Sequence, residues 1–167
     1  MRKFVTSDLH FHHENMIKYC NRPFKTMNEM HEVMIERWNK KVSPSDQVYV
    51  LGDFCWGDSI RVHQRILKKL NGCKFLIIGN HDEERPRFYI SAGFRAVYYP
   101  YFEIDDMVLC HDPALSQVDR SRKFLVGHIH DLFKTQKNCI NVGVDVWDFY
   151  PQDIEFLKEN FICMGFK

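Results

Sequence analysis

Short apolar runs that end on a glycine or a polar residue recur along this chain, and helical stripes fill the gaps between the early ones. Met1–Ser7, Asp46–Leu51 and Cys73–Ile78 have strand length and are rich in Val, Ile, Leu and Phe. Between the first two, Thr26 followed by Glu29 is a capping box. Met27, Met30, Met34 and Trp38 then recur at helical spacing, a stripe that reads as core. His12–Tyr19 before it reads as a loop with one helical turn. A second amphipathic helix starts near Asp58 or Ser59 and carries Ile60, Ile66, Leu67 and Leu70, with His63 close enough to the stripe to be structural. Asn71-Gly72 ends it. A polar helix is predicted after Asp82, running to about Ser91, with Pro86 in its first turn.

The pattern then turns to strands at Phe94–Tyr99, Tyr101–Ile104, Met107–Cys110, Phe124–Val126 and Cys139–Val142, which together read as a meander. Asp105-Asp106 between two of them predicts a hairpin turn, although a pair of carboxylates invites a catalytic reading. Pro151–Glu159 predicts a short closing helix with Pro151 at its start. No repeat, low-complexity stretch or linker divides the chain, so residues 1–167 read as one domain. Alternating strands and helices followed by a meander predict two packed sheets with helices outside.

What sits at the strand ends changes the picture. They carry Asp8-Leu9-His10, Gly52-Asp53, Gly79-Asn80-His81-Asp82, His111 and Gly127-His128-Ile129-His130. In an open α/β fold the carboxyl ends of strands converge on one rim, so groups distant in sequence can meet there. Their donors are oxygen and imidazole nitrogen, which suits Mn, Fe, Ni, Co or Zn. Asp8 with His10, and His128 with His130, are two apart and would share one side of an extended segment. A lone strand-end Asp is usually a turn residue, and a lone His usually structural. Five of the nine histidines at such ends (His10, His81, His111, His128 and His130) reverse that expectation.

Composition narrows the classes. A chain of 167 residues, 45% hydrophobic and 27% charged, can bury a sizeable core. The net charge is +1 and no Lys/Arg cluster exceeds Lys68-Lys69 or Lys40-Lys41, which argues against a duplex nucleic acid partner. A nucleotide or short oligonucleotide stays open, since bound cations would add positive charge. The cysteines at 20, 55, 73, 110, 139 and 163 lack CxxC spacing and read as reduced small hydrophobes. The first strand delivers Asp8 and His10, so a cleaved signal peptide would remove ligands, and no apolar run nears the roughly 20 residues of a membrane span. A cytoplasmic location with no membrane partner is expected.

The ordered set DxH, GD, GNHD, H and GHxH resembles the calcineurin-like metallophosphoesterases over residues 3–149. The stretches His10–Asn15, Tyr19–Phe24 and Asn141–Phe149 resemble a compact bacterial and phage branch. The resemblance implies a four-layer α/β/β/α sandwich of two mixed sheets flanked by helices, with two divalent metal ions per chain, manganese first among the candidates. By motif, one ion would take Asp8, His10, Asp53 and His130, and the other Asp53, Asn80, His111 and His128. Asp53 would bridge, and His81 would be the non-ligand catalytic residue.

The implied chemistry is in-line attack on phosphorus by a metal-bridging hydroxide, with His81 assisting the leaving group. The expected substrate is a small phosphoester, with a nucleotide-type phosphodiester ahead of a monoester; the rival class is a non-catalytic metal-binding interaction module. Protein phosphatases of this superfamily continue GDxxDRG, whereas Gly52-Asp53-Phe54-Cys55-Trp56 has Trp56 at the acid's position, which disfavours a phosphoprotein substrate. Residues His12 to Phe24 leave from the rim, so His13, Asn15 and Arg22 are candidate substrate contacts. The Arg22 guanidinium is matched to two phosphate oxygens, or else locks its loop against the core.

Overall fold

In the computed structural model, which describes residues 1–161, the early apolar runs become strands buried on both faces. β1 (Lys3–Thr6), β2 (Gln47–Leu51), β3 (Cys73–Ile77) and β4 (Ala96–Tyr98) lie parallel in that order. Alternate residues serve two cores, as a period of two requires. Phe4, Val48, Val50 and Leu76 face helices, while Val5, Tyr49, Leu51 and Ile77 face a second sheet. Helices α2 (Met27–Lys41), α3 (Ile60–Leu67) and α4 (Pro86–Ala92) supply the outer partners of the first core, and α1 (Met16–Tyr19) is a single turn at its edge.

Local chemistry sets the helix ends. Thr26 caps α2 by accepting from Glu29 N–H, and Glu29 accepts in return from Lys25 N–H, a device worth about 1 kcal/mol. The expected stripe is buried at Met30, Met34 and Trp38, and Trp38 Nε1–H donates to the Asn71 carbonyl. His63 is 1% exposed with Nδ1 against the Ser59 carbonyl, the structural role expected of it. α4 starts at Pro86 and not directly after Asp82, because the residue before a proline is pushed out of the helical region and Arg85 sits at ψ 150°.

The second sheet runs β5 (Tyr101–Ile104), β6 (Met107–Cys110), β7 (Lys123–Val126), β9 (Cys139–Asn141) and β8 (Thr135–Gln136). Asp105-Asp106 is the expected turn between antiparallel β5 and β6, and its carboxylates pair with Lys158 and Lys123. The expected meander is wrong beyond that hairpin. β6, β7 and β9 are parallel, joined by crossovers, the first of which holds the short helix α5 (Ala114–Val118). That correction matters for the site, since the carboxyl ends of all three strands reach one rim.

The closing helix α6 is Ile154–Asn160, not Pro151 onward: Gln152–Asp153 pairs antiparallel with β1 as β10, and Asp153 then caps α6 through Glu155 and Phe156 N–H. The layers are therefore helices, sheet, sheet and a thin outer layer around α5, over Val108, Cys110, Phe124, Val126 and Cys139. Cysteines 20, 55, 73, 110 and 139 are free, and Cys163 lies outside the described residues. No described helix is long and apolar enough to cross a membrane.

Candidate metal centre

The chain leaves β1 and bends sharply at the rim. Asp8 and His10 take positive φ (57° and 50°), as do Asp53 (54°), His128 (74°) and His130 (48°). The expectation that Asp8/His10 and His128/His130 project from extended segments is corrected: each pair sits in left-handed turns beyond its strand. Such conformations cost about 1–3 kcal/mol each and persist only where surrounding contacts over-determine them. Here they do. Asp8 N–H donates to the Gly52 carbonyl and His10 N–H to that of Asp53, while His128 N–H lies 3.0 Å from both Asp8 carboxylate oxygens.

Two glycines let the turns close. A Cβ on Gly52 (φ 82°) would stand 2.5 Å from Gly79 Cα and from His111 Nδ1. A Cβ on Gly127 would collide with the Ser7 hydroxyl. Beneath them Asp82, 4% exposed, gathers three backbone N–H donors, from Asp53 (2.8 Å), Gly79 (2.9 Å) and Phe54 (3.2 Å). Burial pushes its carboxyl up, aided by the Asp53 charge, while the N–H donors oppose. Asp82 ties the β2 and β3 loops together. Sequence reasoning quoted it only as the end of Gly-Asn-His-Asp.

The expected ligands meet. Asp53 Oδ2 lies between His10 Nε2 at 3.4 Å and His111 Nε2 at 3.6 Å. Asp8, His10 and His130 offer atoms within 4.8 Å of one another, as do Asp8, Asp53 and His111. Asn80 Oδ1 is 2.8 Å from both His111 Nε2 and His128 Nδ1. Burial works against charge on Asp53, yet the His10 imidazole beside it, the field of His111 and the His81 N–H pull its carboxyl down to about 2.

The imidazoles face the wrong partners unless a cation is there. His111 Nδ1 is 2.7 Å from the Leu51 carbonyl, which can only accept, so Nδ1 carries the proton. In the neutral ring Nε2 then turns its lone pair on the oxygens of Asn80 and Asp53. His10 Nε2 is buried with no hydrogen-bond partner, the kind of orphaned polar atom that native interiors avoid. His130 repeats the theme: burial opposes its charge, but hydrogen bonds to Asp145 and Cys20 hold its pKa up at about 10. A divalent cation would take the place of that proton. The nitrogen and oxygen donors fit such an ion.

A model of one family matches residues 1–162: calcineurin-like phosphoesterase. The chain belongs to that family. Two mixed sheets with flanking helices are the fold the resemblance implied. An uncharacterized protein of Methanocaldococcus jannaschii is 32% identical over 94% of this chain and 90% of its own length. The gene 66 protein of Mycobacterium phage D29 is 25% identical, covering 90% and 92%. Among solved structures, a protein of unknown function from Aquifex aeolicus superposes with TM-score 0.76 at 25% identity over 95% of this chain and 98% of that one. A Pseudomonas putida nuclease does so with TM-score 0.54 at 22% identity over 77% and 62%, a likeness of fold alone.

The remaining candidates separate. His81 is exposed beside the cluster, its ring 5.4 Å from that of His10 and its N–H on Asp53 Oδ1 at 2.9 Å. His13 stacks on Trp56 at 4.2 Å and lies 5.4 Å from His10; burial, then His10 and His81, push its pKa down to about 4. Asn15 is exposed just before α1, with no side-chain cap.

Arg22 is not at the surface. It is 4% exposed and commits all five donors inside the protein: to Asp145, the Asp8 and Leu9 carbonyls, and Met30 sulfur. The phosphate contact expected of it is corrected to the alternative, a lock on its loop. Two clefts open on the rim, about 280 Å³ beside Trp56, His81, Glu83 and Glu84, and about 330 Å³ beside Asn80, His111, His128 and Tyr99.

Proposed function

We propose that this phosphoesterase-family chain hydrolyses a small phosphodiester of nucleotide type, using two divalent cations, manganese first among Mn, Fe, Ni, Co and Zn. The observation that carries the reading is Asp53 Oδ2 set between His10 Nε2 at 3.4 Å and His111 Nε2 at 3.6 Å, the first of them buried with no hydrogen-bond partner. Asp8, His10, Asp53 and His130 would hold one cation, and Asp53, Asn80, His111 and His128 the other. When bound, such ions would lower the pKa of a water and neutralise phosphoryl oxygens.

The chain's own residues do the rest. His81, exposed and held by its N–H on Asp53, faces the substrate and gives a proton to the leaving oxygen. His13 and Trp56 wall the cleft beside it. Preference for a diester follows from charge: the two rim clefts hold Asp58, Glu83, Glu84 and Asp112 and no Lys or Arg among their described residues. A monoester dianion finds no cation there beyond the metals, whereas a diester carries only one negative charge. The same lack of a basic track disfavours duplex nucleic acid. That a solved neighbour is named a nuclease is in keeping with diester chemistry.

Manganese-loaded protein assayed on bis(4-nitrophenyl) phosphate and 4-nitrophenyl phosphate, then on cyclic and linear nucleotides, tests this. The diester should turn over with the higher kcat/KM and chelator should abolish it. Faster monoester turnover would favour the monoesterase reading. No turnover with both cations bound would leave a non-catalytic binding module.

A further inference from the structure

The Arg22–Asp145 pair lines neither rim cleft, yet its contacts end on one set of candidate ligands and not the other. Arg22 Nε is 2.7 Å from Asp145 Oδ1, with side chains 0% and 3% exposed. Two further donors hold the carbonyls of Asp8 (2.7 Å) and Leu9 (3.0 Å), the turn that presents Asp8 and His10. Asp145 Oδ2 in turn lies 2.9 Å from His130 Nδ1. We propose that Arg22 and Asp145 are positioning residues that fix His130, and so set the affinity of the cation position made by Asp8, His10 and His130 while leaving the Asn80–His111–His128 position alone.

A carboxylate has no proton to give, so Asp145 obliges His130 Nδ1 to carry one and leaves the other ring nitrogen as a ligand. Partners of this kind fix a ligand's tautomer and ring orientation, and their loss typically costs ~10–100-fold in metal affinity. Arg22 has a second task. Cys20, His130 and Asp145 also lie within 4.8 Å of one another and could capture a cation in the wrong place. The guanidinium on Asp145 repels a cation there, leaving His130 to the Asp8 side. Backbone contacts fix the segment bearing Asp145, with Val144 N–H on the Ser7 carbonyl and Gly143 N–H on Asn141 Oδ1. Among the described residues neither Arg22 nor Asp145 hydrogen-bonds Asn80, His111 or His128.

This inference depends on the two-cation reading above. The test is a titration of the full metal-free chain with Mn(II), with free ion followed by electron paramagnetic resonance, for the unmutated protein, Asp145→Ala and Asp145→Asn. The unmutated protein should bind two equivalents. Asp145→Ala should weaken one position by ~10–100-fold and leave the other unchanged. Asp145→Asn, close in size, should show a smaller loss at the same position, and it carries the test if the alanine variant fails to fold. With Co(II), only one of the two visible-absorption components should change. Unchanged affinities with only a lower Tm, or equal weakening at both positions, would overturn the inference while leaving the two-cation reading intact. Fewer than two equivalents in the unmutated protein would overturn that reading and this one with it.

Discussion

The two halves of the candidate centre are built differently. On one side Asp8 and His10 are 0% and 2% exposed, roofed by the loop to Phe24 and braced from behind by the Arg22–Asp145 pair. On the other, Asn80 and His128 are exposed at the mouth of a cleft, and only His111, 5% exposed, is buried. Asp53 joins them at 2% exposure. The closed half is held by the protein's own donors and can keep its shape with nothing bound. The open half is where a substrate can arrive. Rigidity on one side and access on the other is what a hydrolytic site needs, since positioned ligands lower the reorganisation required while the reacting ester must still enter.

The shared residue should give the largest effect. Asp53→Asn removes charge from both halves at once, so at least one equivalent of cation should be lost in elemental analysis. Turnover should fall on the order of 10⁴-fold or more, because the several kcal/mol of charge stabilisation from both ions depends on it. Full occupancy in that variant would mean the halves are independent. Next comes His81, beside both halves and assigned to neither. His81→Ala should keep both ions and lose roughly 10²–10⁴ in kcat on a poor leaving group, with less loss on nitrophenolate. An emptied site would make it a ligand.

Smaller, and confined to the closed half, is Arg22→Ala. Removing one member of a buried pair strands the other, and about 3–5 kcal/mol of stability should go. His128→Ala on the open half should cost far less in the same denaturant titration. Comparable losses would erase the contrast between the halves.

The strand ends were readable in the sequence because each candidate ligand follows an apolar run within four residues, a purely local signal. Arg22 was not, since its partner Asp145 lies 123 residues away and nothing near Arg22 says which carboxylate will meet it. Asp82 had the same problem: its value lies in backbone donors from three different positions, which only the folded loops bring together. The parallel order of β6, β7 and β9 was hidden for a different reason. α5 is five residues long, too short to announce a crossover by periodicity. The left-handed turns at Asp8 and His130 leave only a weak mark in residue type, since Asp and His tolerate positive φ better than most while glycine, the usual sign, stands elsewhere.

The smallest expected effect separates the roof of the closed half from the centre itself. His31, 8% exposed on α2, accepts a hydrogen bond from His12 N–H at 2.8 Å through Nε2. Burial first, then the His12 and Lys69 charges, push its pKa down from 6.5 to about 4. Between those values the unfolded chain binds a proton that the folded chain refuses, so stability should fall as pH drops through that window and level off below it. His13, lowered to about 4 by burial and its neighbours, adds a slope of the same sign. His31→Gln, which keeps an acceptor, should remove part of the slope in metal-free protein and leave cation binding at neutral pH unchanged. A slope untouched by that change would assign it to other groups.

Anomalous diffraction from crystals loaded with Mn(II) tests the central claim most directly. Two peaks should appear ~3.5–4 Å apart on either side of Asp53 Oδ2, one among Asp8, His10 and His130 and the other among Asn80, His111 and His128. A single peak, or a peak at Cys20, His130 and Asp145 with none beside Asp53, would contradict the account.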